Sequence, residues 1–90
     1  MADRAYYEEI EGRLRALLIE HEEVFAGGVE EVADYLDANE LGLALETMLD
    51  IAIEEERPVP PGLADGLRRV ADRMGVGDEL ADRFDALAIA

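Results

Sequence analysis

Apolar residues recur three and four positions apart from one end of this chain to the other. That spacing builds one face of an α-helix, and no alternating pattern is left from which to make a strand. The first stripe is Tyr7, Ile10, Leu14, Leu17, Leu18, His21, Val24 and Phe25. It predicts a helix over 3–25, ended by Gly27-Gly28 through the left-handed conformation that glycine accepts. Val29, Val32, Ala33 and Leu36 predict a short helix over 29–38, stopped by Asn39. Leu41, Ala44, Leu45, Met48, Leu49, Ala52 and Ile53 make the widest stripe, over 40–56. A helix apolar on most of its circumference belongs at the centre of a bundle. Arg57-Pro-Val-Pro-Pro then forms a stiff connector, with Pro61 at the first position of the next helix. That helix, 61–74, buries Leu63, Leu67, Val70 and Met74 and closes at Gly75 and Gly77. A last one, 78–88, is expected to be capped by Asp78 and to bury Leu80, Phe84 and Leu87. The chain therefore predicts one all-α domain over 1–90, a compact bundle of four to five helices with short connections.

The charge is concentrated rather than spread. Between Arg15 and Arg57 there is no lysine or arginine, while the 41 residues 16–56 carry thirteen acids. Residues 1–57 are net −13 and residues 58–90 are net −2, out of −15 for the whole chain. A field of one sign attracts partners of the opposite sign and repels nucleic acid and anionic membrane. The expected partner is a basic protein, with no nucleic acid and no membrane.

Chemistry is sparse. The chain has no cysteine, serine, glutamine or lysine, one threonine (Thr47) and one histidine (His21). Without cysteine there is no disulfide or thiolate metal site, which fits a reducing cytoplasm. His21 continues the apolar stripe and reads as a packing residue rather than a general base. Di-iron bundles pair a glutamate with a histidine three residues on, and Leu18 stands where that glutamate would be. The two glycine clusters are followed by acids and would not cradle phosphate. No catalytic residue, cofactor or metal is expected. No run of about 18 apolar residues exists to span a membrane, and the acidic start, Met1 to Glu9, does not read as a secretion signal.

One stretch is more specific. Glu40-Leu-Gly-Leu-Ala-Leu-Glu46, preceded by Val32-Ala-Asp-Tyr-Leu-Asp37 and followed by Glu54-Glu-Glu-Arg-Pro-Val-Pro60, resembles the MafI-type immunity proteins of bacterial toxin systems. The resemblance covers Val29 to Gly75, about half the chain. The first helix and the tail after Gly77 carry nothing specific to that family. The resemblance implies a small cytoplasmic protein that binds and neutralises a cognate toxin, often a nuclease. The alternative is a non-catalytic adaptor module, with a homodimer through the last two predicted helices as one form.

Glu46, Asp50 and Glu54 recur at four-residue steps and stack along one line of the third helix. They repel one another by a few tenths of a kcal/mol per pair. Asp34, Asp37 and Glu40 flank the turn that leads into that line, and Tyr35 offers an aromatic anchor. These seven residues are the expected partner-binding set. The competing reading is a solvated face, with Glu40 as a helix cap and Gly42 and Ala44 permitting close helix packing. Glu54-Glu55-Glu56 reads as a solvated helix end.

Overall fold

The computed structural model describes residues 3–90, so Met1 and Ala2 of the stretch read for a secretion signal lie outside it. Six helices follow in order: α1 (Arg4–Glu20), α2 (Glu22–Phe25), α3 (Val29–Asp37), α4 (Leu41–Glu54), α5 (Pro61–Arg73) and α6 (Ala81–Ala86). The architecture is all-α. The most apolar stripe takes the central place. Leu41, Ala44, Leu45, Met48, Leu49 and Ala52 of α4 are buried, and α4 packs against each of the other helices. Ile10, Leu14, Phe25, Leu36, Leu63, Leu67 and Phe84 close over it in one continuous core. Among the described residues no polar or charged side chain is buried. Truncating such a leucine to alanine costs about 2–5 kcal/mol. The charged side chains therefore lie around the apolar core rather than within it.

Two stops form as their residue types dictate. Asn39 adopts φ 60°. Its N–H donates to Leu36 O at 3.1 Å, and the Glu40 N–H donates to Tyr35 O at 2.8 Å. Gly75, at φ 76°, closes α5 with the same pair of bonds, Gly75 N–H to Asp72 O at 3.1 Å and Val76 N–H to Ala71 O at 2.9 Å. Both satisfy carbonyls that a helix end otherwise leaves without partners. Pro61 opens α5 as expected.

The expected helix over 3–25 is broken at His21, which takes φ −124° and ψ 38°. An unbroken helix would place Glu20, Glu22 and Glu23 at its negative end. The break instead gives Glu22 and Glu23 the first turn of α2, where the dipole favours them. It also lets α2 pack on α4 with Phe25 fully buried.

Gly27-Gly28 does not stop the helix in the expected way. Gly28 has φ −134°, so its role is spatial: a side chain there would run into Ile51 of α4. Gly42 faces open space, and the close helix contact falls at Gly66 of α5, against Leu17 of α1. Glu40 precedes α4 without a side-chain cap bond.

The last helix is shorter than 78–88. Asp78 belongs to the preceding turn, whose Leu80 N–H donates to Val76 O at 3.1 Å, and Leu80 precedes α6 without a side-chain cap bond. Beyond α6 the tail is extended. Val59 N–H donates to Ala88 O at 2.8 Å and Ala90 N–H to Val59 O at 2.9 Å. This isolated parallel pairing holds the proline connector against the tail and keeps Val59 buried.

Candidate protein-binding surface

The arginines decide which carboxylates remain free. Arg15 on α1 donates from Nε to Glu11 Oε2 at 2.8 Å and from Nη2 to Asp37 Oδ1 at 2.7 Å. It therefore fastens α1 to the end of α3, and the Asp37 hydrogen bond, then that of Glu11, strengthens its hold on its proton. Arg73 on α5 reaches Glu9 on α1 through Nη2 at 3.2 Å and Nε at 3.3 Å, with its guanidinium carbon 5.3 Å from the centre of the Tyr6 ring. Arg13 adds a bond to the same Glu9 at 3.0 Å. The Arg73 hydrogen bond is the main reason the Glu9 carboxyl sits below the usual carboxylate range. Arg68 lies over the Phe84 ring, 4.6 Å from its centre. Arg83 on α6 places Nη1 3.4 Å from both Glu46 Oε1 and Asp50 Oδ1 on α4.

The seven expected binding residues divide accordingly. Asp37 is bonded to Arg15, and Glu46 and Asp50 share Arg83. Asp34, Glu40 and Glu54 are exposed, with no arginine within 4 Å among the described residues. Tyr35 is half-buried and packs against the core, so only part of its ring is available to a partner. The C-terminal third, nearly neutral in sequence, thus folds back to cover part of the acidic line.

Of the thirteen acids in 16–56, only Asp37, Glu46 and Asp50 face an arginine within 4 Å among the described residues. Glu22 and Glu23 open α2, Glu30 and Glu31 open α3, and Glu54, Glu55 and Glu56 end α4. Glu54 and Glu56 are exposed, as a solvated helix end requires, and Glu55 is half-buried. Gly27, Gly28 and Ile51 adjoin all three, and the signal available in sequence was their position at the negative end of a helix.

His21 sits half-buried at the joint between α1 and α2. Among the described residues no group of three or more metal-ligating side chains gathers, and no helix is long and apolar enough to cross a membrane. Neither a family model, nor a curated protein, nor a solved structure matches this chain.

Proposed function

We propose that this chain is an immunity-type protein. It binds and neutralises a cognate basic bacterial toxin, nuclease-like in character, through its acidic helical surface. It works in the cytoplasm and performs no catalysis of its own. One observation carries this reading: within 41 residues lacking any lysine or arginine, ten carboxylates have no arginine within 4 Å among the described residues. They stand on a core with no buried polar side chain among those residues. Such a charge distribution adds self-repulsion to the folded state. A partner's cations offset that repulsion on binding.

The physical fit is direct. A nuclease must present a basic surface to hold phosphates. A small acidic body that covers that surface excludes the substrate without chemistry. Complementary fields also raise the association rate far above that of neutral pairs. The stretch Glu40–Glu46 with its flanks, similar to MafI-type immunity proteins, supports the same assignment.

The test is growth protection. The protein encoded beside this chain's gene is expressed in a bacterial host, with and without this chain. Growth arrest that this chain relieves is the expected result. A harmless neighbour, or an arrest that this chain leaves unchanged, would overturn the proposal.

A further inference from the structure

A shallow apolar hollow opens where α2, the start of α3 and the end of α4 meet. Gly27, Gly28 and Ile51 line it, and Ala26 and Val29 line a second, separate hollow. Ile51 and Val29 pack on the core yet remain half-buried. Because Gly28 carries no side chain, its backbone lies directly against Ile51 and forms part of the floor. Glu54, Glu55 and Glu56 border the first hollow, and Glu22 and Glu23 border the second.

These five carboxylates lack what the neighbouring acids have. Glu9, Glu11, Asp37, Glu46 and Asp50 each meet an arginine, whereas none of the five does among the described residues. Arg57 lines the next depression with Glu23 and Glu55 but comes within 4 Å of no carboxylate there. Glu54 and Glu55 also sit where the negative end of α4 disfavours them. An apolar floor inside a charged rim is the usual anatomy of a protein interface. A rim of one sign selects the opposite sign.

We propose that this hollow is the docking point for a basic segment of a partner protein. An apolar or aromatic side chain of that segment seats on Gly28 and Ile51. Its arginines or lysines reach Glu54, Glu55 and Glu56 at that hollow and Glu22 and Glu23 at the second. The inference rests on the reading that the partner is basic, and it shifts the centre of the interface from the Asp34–Glu40 turn to the end of α4. A second copy of this chain is a poor occupant, since it brings another fifteen net negative charges.

Two synthetic peptides of equal length and charge test this on the full chain, one alternating arginine with leucine, the other arginine with glycine. Binding is followed by amide chemical shifts. The leucine peptide is expected to bind about tenfold more tightly, with the largest shifts at Gly27, Gly28 and Glu54–Glu56. Neutralising the rim with Glu54→Gln and Glu55→Gln should weaken both peptides by about tenfold. Ile51→Ala should abolish only the advantage of leucine, and Ile51→Val, the milder change, should reduce it. Equal affinity for the two peptides, or shifts centred on Asp34–Glu40, overturns the hollow but leaves the basic-partner reading standing. If neither peptide binds better than a glutamate–leucine control, both fall. Concentration-dependent shifts of the same amides without peptide would assign the hollow to a second copy and overturn the proposal.

Discussion

Arg83 Nη1 lies 3.4 Å from Asp50 Oδ1 and equally far from Glu46 Oε1, one turn earlier on α4. A cation from the last helix therefore sits across two stacked carboxylates that would otherwise repel each other. That nitrogen is buried and makes no directed hydrogen bond, so the attraction is Coulombic. It divides the acidic line of α4 into an answered part, Glu46 and Asp50, and an open end at Glu54.

Arg83→Ala should lower stability by about 0.5–1 kcal/mol at low salt, the range of partly exposed ion pairs. Urea unfolding at two ionic strengths measures it. The loss should shrink as salt screens the repulsion left between Glu46 and Asp50. A loss that grows with salt would show that Arg83 acts through packing instead.

Two glycine positions should respond in opposite directions. Gly12 lies within α1 and a Cβ there meets nothing within 4 Å. Gly12→Ala should stabilise by about 0.5–1 kcal/mol, because glycine loses more freedom on folding. At Gly66 a Cβ meets the branched end of Leu17, with Cγ at 3.3 Å. Gly66→Ala should destabilise, by about 1–3 kcal/mol if the core does not adjust. Thermal unfolding of both variants gives the comparison, and a stabilising Gly66→Ala would contradict the tight approach of α5 to α1.

The Glu9 pair sets a pH dependence with a definite sign. The Arg73 hydrogen bond, foremost among the causes, holds the folded carboxyl below its ordinary value of 4.5. The wild type's advantage over Glu9→Gln should therefore be complete above that ordinary value. It should decline as pH falls through the lowered folded value. Unfolding midpoints at neutral, mildly acidic and strongly acidic pH check it. An advantage that increases toward acid would reverse the assignment.

Sedimentation should show a monomer. The large apolar side chains most exposed among the described residues, Ile19, Ile89 and Leu43, belong to α1, the tail and α4 respectively. A stable dimer through α5 and α6 at low salt would instead favour the adaptor alternative.

The helices were legible because the core is purely apolar, so the buried side chains of each segment fall mainly within its stripe, although Tyr7 is exposed and Val29, Ile53 and Met74 are only half-buried. Asn39, Pro61 and Gly75 were legible because each uses a backbone property particular to its residue type. The break at His21 was not, because it comes from dipole preference and the demands of Phe25 packing rather than from a glycine or proline. Asp78 failed as a cap because the turn before α6 is closed by backbone bonds alone. The acidic surface was legible only as a charge density. Arg15, Arg73 and Arg83 meet carboxylates 22, 64 and more than 30 positions away. Such pairings follow from the helix packing, and they decide which acids remain free.

The most direct measurement is the association rate of this chain with the purified protein encoded beside its gene, at about 50 and about 300 mM salt. A one-to-one complex is expected, with a rate that falls steeply between the two conditions. Glu54→Gln with Glu55→Gln should slow association at low salt and flatten that fall, more than Asp50→Asn does. Asp72→Asn with Asp82→Asn should leave both nearly unchanged. No complex, a rate indifferent to salt, or equal losses from the two double variants would contradict binding of a basic partner through this acidic surface.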